Sequence, residues 1–477
     1  MALLAVIVGI NLSYRETNLE KKEMEENNED PEECVLGYGH SQNNLITSTS
    51  AGDDNNIIIV EESFDPHSIT GILNICKKKL LIPYMRFLSL LGLRPIFGES
   101  TESRYFLKTF NVTYILQVII FLVSGYVLQY MACFRRDRGF GSMSPIPFKN
   151  LNRTELKMVY DLTCSGSLIS CFIIPSILHF AGYLCAYFAF RKTDDDQLTV
   201  LIERVFLTSS HVRNMNINQK QIVRTLWMFV LASFIWMFLS VALVFYMMAE
   251  GDIIFKWINH GPAWVEITMK TLLVICTICH DIIQASVISN YCLQVQLLKT
   301  YVQYMREMML QQFLKPLDWI RSIEEFRKLL WYLNNRVASA VCLFTLVNGS
   351  YAISGTVWIL ASYYRKSFDS VPLYFAINVF NVMLWWIIAI APFIQAARLN
   401  IACEYLKTVG QEVRARPYAH QETSVQELNS ILIYTSSLKL NAKLFGLAIR
   451  GKYAGITLAI FVIFILVFGQ SNFILTQ

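Results

Sequence analysis

Seven stretches of the chain stay apolar long enough to cross a bilayer, whose hydrocarbon core of ~30 Å takes about 20 helical residues. They run roughly over 110–134, 161–190, 225–248, 264–294, 337–364, 373–397 and 453–473. Two of the connections, 295–336 and 398–452, are too long for simple turns and repeat apolar residues at helical spacing. In the first, Pro316 predicts a break. In the second, Ser424 followed by Glu427 makes a capping box at the start of SVQELNSILIYTSSLKLNAKLFGLAI. The pattern predicts an all-α integral membrane protein whose membrane helices extend beyond the bilayer, and those extensions carry apolar stripes that need partners.

Ahead of the first span the pattern is different. Residues 1–66 contain an acidic run, ETNLEKKEMEENNEDPEEC, and are rich in Asn, Ser and Asp, so they bury too little apolar surface to offset their ordering entropy. The opening MALLAVIVGINLS lacks a basic n-region and a small-residue cleavage site. A retained apolar end fits it better than a signal peptide, which would put the N-terminus outside. Residues 67–109 mix apolar positions with Lys77, Lys78, Lys79, Arg86 and Arg94, as an interfacial amphipathic segment or a plain linker does.

Charge sets the orientation. The segment before the first span and the three alternate connections hold seven, six, seven and eight Lys and Arg, against six, one, two and none on the other side. The positive-inside rule then predicts a cytoplasmic N-terminus and an extracellular C-terminus. That is the reverse of a G-protein-coupled receptor, and the DRY-type and NPxxY-type strings of that class are absent. Of four sequons, at Asn11, Asn111, Asn152 and Asn348, only Asn152 is expected outside and clear of the bilayer, so it alone is a glycosylation candidate.

Composition agrees with a membrane protein: 54% of residues are hydrophobic and 16% charged, against about a quarter charged in soluble domains. The eleven cysteines are scattered and give no disulfide framework. Cys276-Thr-Ile-Cys279-His280 spells a haem-attachment string, but inside a membrane span it reads as small polarizable residues packing between helices. A Gly-rich phosphate loop, an HExxH helix and a nucleophile elbow are all missing, so neither an enzyme nor a cofactor is expected.

The last span places Ile456, Ile463, Val467 and Gln470 on one face. Gln470 either hydrogen-bonds a neighbouring helix or, repeated around a symmetry axis, forms a polar ring above a hydrophobic constriction. The seven spans, internal N-terminus, long basic final inner segment and very short external end resemble the insect gustatory receptor family over the whole chain. That family ends on Thr-Tyr, five apolar residues and Gln-Phe. Here Ile463 and Phe464 replace Thr-Tyr, the apolar run and Gln470 match, and Ser471 replaces Phe. The stretch QEVRARPYAHQETSVQELNSILIYTSSLKLNAKLFGL looks like the carbon dioxide-sensing branch.

The resemblance implies a tetrameric, ligand-gated, non-selective cation channel in the plasma membrane of chemosensory neurons, assembled with itself or with sister subunits. It implies a six-helix ligand-sensing domain over 110–397 and an inter-subunit anchor over 398–452. The pore helix would lie within 453–477, with Ile463, Phe464, Val467, Gln470 and Ser471 at the gate. Sugar-sensing and bitter-sensing branches remain alternatives, and a secondary transporter is the reading from another class.

Candidate ligand contacts lie on the outer halves of the spans. Glu266 and Lys270 stand one turn apart in the order that favours an ion pair. They either wall a polar pocket, with Lys270 attracting an anion such as bicarbonate, or pair at the interface with Lys270 snorkelling. His280, with Asp281 beside it, is a titratable group or a satisfied interhelical partner. The aromatics Phe245, Tyr246, Trp264, Trp358 and Trp385, with Asn381 one turn from Trp385, complete the set. Trp385 and Trp386 point about 100° apart, so at most one faces a cavity.

Overall fold

A computed structural model describes residues 76–96, 105–137, 169–191, 197–209, 215–250, 255, 262–311, 316–364, 372–415 and 424–449. The π-helical turn Lys77–Leu81 leads into α1 (Ile82–Leu90), followed by α2 (Tyr105–Met131). A second π turn, Ile169–Ile173, opens α3 (Ile174–Arg191), and α4 (Gln197–Ser209), α5 (Met215–Glu250) and α6 (Ala263–Gln311) follow. Then come α7 (Pro316–Tyr332), joined through the π turn Leu333–Val337 to α8 (Ala338–Tyr364), α9 (Pro372–Ala415) and α10 (Val425–Ser437).

Five described spans are long and apolar enough to cross a membrane: α2, α5, α6, the continuous α7–α8 and α9. The second expected span is described only from Ile169 onward, as α3. The seventh, with the gate candidates Ile463, Phe464, Val467, Gln470 and Ser471, lies outside the described residues, as does Asn152.

Apolar surface falls on two sides of each helix for different reasons. On α2, Val112, Leu116, Ile120, Val123 and Val127 are exposed while Ile115, Leu122 and Leu128 are buried. An uncovered apolar stripe of this kind suits a bilayer, which solvates it as well as protein does. The centre of the bundle is α6, the most buried of the five spans, against which α9, α5, α4 and α2 pack. Close approach between neighbouring helices depends on glycine, most tightly at Gly125 and Gly355. A Cβ on Gly125 of α2 would meet the His280 ring at 2.7 Å, and one on Gly355 of α8 would meet Val382 of α9 at 2.5 Å.

Helix α4 lies within what the charge count treated as a connection. Leu198, Leu201, Ile202, Val205 and Phe206 form its buried stripe, at spacings of three and four. The capping box forms as expected: Ser424 Oγ accepts from the Glu427 amide at 3.2 Å.

The rest of the expected helix after Ser437 does not form. Leu438 turns extended, and Lys443–Leu444 pairs antiparallel with Leu447–Ala448 as a two-stranded hairpin, β1–β2. Its two turn residues, Phe445 and Gly446, both have positive φ (54° and 75°), as a two-residue hairpin loop of type I′ requires. Long-range side chains supply the hydrogen bonds that a helix would have made. Asn400 of α9 accepts from the Ala442 amide at 2.5 Å and donates to the Ala442 and Ile449 carbonyls at 3.0 and 2.7 Å. Asn334 accepts from the Lys443 amide and donates to the Asn441 carbonyl, at 2.8 and 3.0 Å. Further along the helices, the extensions of α6 and α9 meet through Arg306 and Glu412 (2.9 Å), and α7 meets α10 through Trp319 and Thr435 (3.0 Å).

Asn400→Ala strands the Ala442 amide and the Ile449 carbonyl, leaves the Ala442 carbonyl only its 3.5 Å bond from the Ile449 amide, and is expected to lower stability by about 2 kcal/mol. Thermal melting of the purified full chain in detergent checks this. An unchanged midpoint would mean the hairpin is held by other contacts.

Candidate functional site

The site starts at the end of α2. The Phe134 amide donates to the Gln129 carbonyl at 2.8 Å and the Cys133 amide to Tyr130 at 3.0 Å, the bonding of a Schellman cap. Glycine usually fills the left-handed position of that cap; here it is Cys133, at φ 53°. Cys133 is disulfide-bonded, whereas Cys76, Cys185, Cys276, Cys279, Cys292, Cys342 and Cys403 are free thiols. The cap folds the chain back into the bundle, so that Phe134, Arg135, Arg136 and Asp137 are all buried.

Four buried charges are thereby matched in pairs. Arg135 grips Asp137 bidentately at 3.1 and 3.0 Å, and Ser354 of α8 donates to the same carboxylate at 2.7 Å. Arg136 pairs with Asp281 of α6. Ser240 of α5 donates to the Asp281 carboxylate at 2.7 Å and Gln284 at 3.2 Å. Helix α9 clamps the segment's backbone: Trp385 Nε1 donates to the Arg136 carbonyl at 3.2 Å and Asn381 Nδ2 at 3.3 Å. The Arg136 guanidinium carbon lies 5.2 Å from the Trp385 ring centroid, a cation–π contact.

Below this ionic layer is a neutral one. Tyr126 and the His179 Nδ1 are 2.6 Å apart, and His179 Nε2 faces the His280 carbonyl at 3.3 Å. His280 Nε2 faces the Leu122 carbonyl at 3.0 Å while its Nδ1 faces the Gln129 amide nitrogen at 3.3 Å. A carbonyl only accepts and an amide nitrogen only donates, so both rings are Nε2–H tautomers with both nitrogens engaged. His280 stacks on Tyr126 at 4.5 Å.

His280, Asn381 and Trp385 therefore converge on one buried region, in which Trp385 faces inward and Trp386 bonds Thr356 at 3.0 Å instead. Trp358 is buried on α8. The other candidates lie elsewhere. Phe245 and Trp264 are exposed (53% and 68%), and Tyr246 is half-buried. Glu266 and Lys270 form the expected ion pair at 2.8 Å, but it lies on the exposed face of α6, the interfacial arrangement rather than a pocket wall. About 20 Å of helix rise separates Glu266 from His280, so the four residues Glu266, Lys270, His280 and Asp281, which would be the relay of a secondary transporter, do not form one cluster. The sequons at Asn111 and Asn348 are buried within helices.

Arg135, Arg136 and Asp137 were not read as site residues from the sequence, because charges directly after an apolar helix look like a solvated loop. The one local signal was Asp281, an acid inside a span and in want of a cation.

Asp281→Asn is expected to cost about 3–5 kcal/mol, because it leaves Arg136 buried without a counter-charge. Lys270→Gln should cost under ~1 kcal/mol, as an exposed pair does. Melting both variants beside the wild type checks the contrast, and equal losses would contradict it.

Neither the protein-family models nor the curated proteins contain a match to this sequence. Among solved structures, the insect olfactory receptor OR5 from Machilis hrabei, determined in complex with eugenol, is similar at 9% identity and a TM-score of 0.52. The similarity covers 83% of this chain and 99% of that one. The protein shares the fold of that insect olfactory receptor, and five of its described helical spans are long and apolar enough to cross a membrane.

Proposed function

We propose that the protein is a chemosensory receptor subunit of the gustatory type, working as a ligand-gated, non-selective cation channel in the plasma membrane of sensory neurons. The observation that carries this reading is the olfactory-receptor fold along 83% of the chain, joined to the terminal sequence around Gln470. The N-terminus is cytoplasmic and the C-terminus extracellular. The disulfide at Cys133 supports that orientation, because such bonds persist on the oxidising side of the membrane, the side to which the charge count assigns the loop after α2. Asn152 lies in the same loop and is the glycosylation site.

The last span, 453–473, lines the pore, with Gln470 and Ser471 above a constriction of Ile463, Phe464 and Val467. The segment 398–452 anchors subunits to one another in a tetramer. The exposed Val425, Ile433 and Leu447 support this assignment, being apolar surface beyond the spans. The ligand is small and acts near Asn381 and Trp385, where few hydrogen-bonding groups remain unengaged for a sugar. Carbon dioxide, sensed with sister subunits, is the first candidate.

Whole-cell current in a heterologous cell, alone and with sister subunits, tests this reading with carbon dioxide at clamped pH, then bicarbonate, then a sugar panel. A fast carbon dioxide current is expected. A sugar response would leave the channel and sink the branch assignment, and slow saturable uptake without channel steps would sink the channel. Gln470→Ala is expected to alter permeation or gating with surface expression intact, and unchanged currents would remove Gln470 from the gate.

A further inference from the structure

Arg136 occupies a cation site built by residues distant from it in sequence. Asp281 has no exposed surface, and its carboxylate is already oriented by Ser240 at 2.7 Å and Gln284 at 3.2 Å. The Thr277 carbonyl accepts from a second guanidinium nitrogen at 3.4 Å. Trp385 offers its ring to the cation, with its own centroid 5.9 Å from that of Trp236 and 5.2 Å from that of Tyr351, both edge-on. A carboxylate, a carbonyl and an aromatic face together suit a planar guanidinium, which donates along its edge while stacking. A compact ammonium uses the same three features less well.

We infer that the Asp281–Trp385 site is a binding site for alkylguanidinium compounds, which the protein here fills with its own Arg136 as a tethered occupant. The segment that delivers Arg136 is held independently of the ion pair, by the Cys133 cap and by the bonds from Asn381 and Trp385 to its backbone. Removing the Arg136 side chain therefore leaves an oriented, uncompensated carboxylate beneath an indole, and a free cation of the same shape replaces it. In the wild-type chain a free compound competes with a side chain at high effective concentration, so binding there is weak.

The test is ethylguanidinium chloride at millimolar concentration, added to purified full-length Arg136→Gly in detergent. A rise of roughly 3 °C in its melting midpoint is expected at saturation, with a much smaller rise in the wild type and from ethylammonium chloride. The double variant Arg136→Gly/Asp281→Asn should not respond, because its carboxylate is gone. No rise in the single variant, or equal rises in single and double, would overturn the assignment. Where Arg136→Gly fails to accumulate folded, the same salt in the culture medium becomes the readout. It should raise surface protein about twofold for the single variant and not for the double, and no increase would overturn the site. Neither measurement needs a current, so the outcome is separate from that of the channel proposal.

Discussion

A carboxylate without exposed surface, among helices whose outer faces are apolar, is the constraint on which the inward turn after α2 depends. Asp281 cannot stay ionised there alone, because an unpaired charge at that depth costs several kcal/mol. Arg136 answers it, and to bring Arg136 in the chain must leave α2 through a left-handed residue and run inward instead of along the surface. The inward run carries Arg135 and Asp137 with it, which match each other. One buried acid thus dictates the cap of α2, the burial of three further charges, and the use of Trp385 and Asn381 to hold the segment's backbone.

The same rule of internal satisfaction operates at the opposite end by other means. There the groups that need partners are backbone amides and carbonyls of the β1–β2 hairpin, and side-chain amides serve them: Asn400 and Asn334 each act as donor and acceptor at once. Between the two ends the helices touch closely wherever side chains shrink, as at Gly125 and Gly355. Buried polar side chains continue between the two ends as well, as on α6, where Gln294 donates to Asn290 at 2.6 Å.

Much of this was legible in the sequence, and what was missed has a physical reason. Helix positions follow from apolar run length, the break at Pro316 from its missing amide, and the start of α10 from the Ser424 side chain, all of them local causes. The inward fold of Arg136 has a cause 145 residues away and no local one. The hairpin is similar: LNAKLFGLAI has helical spacing, and only Asn400 and Asn334 make the extended form better bonded. Helix α4 had a readable apolar stripe at Leu198, Ile202 and Phe206, obscured by the charges of the connection that contains it. For Trp385 and Trp386 the helical period required that they diverge; which one turned inward was decided by Arg136 and Tyr351.

Helix α6 runs unbroken from Ala263 to Gln311, about 70 Å at 1.5 Å per residue. Asp281 lies near its first third, and Arg306, joined to Glu412, near its far end. A rod of that length is a lever whose fulcrum is the packed middle of the bundle. A tilt of roughly 5° about such a fulcrum carries the far end sideways by ~3–4 Å, comparable to the helix shifts by which proteins switch state. A disturbance too small to break the packing around Asp281 would therefore arrive at the Arg306–Glu412 contact magnified, without any chain of intermediates to relay it.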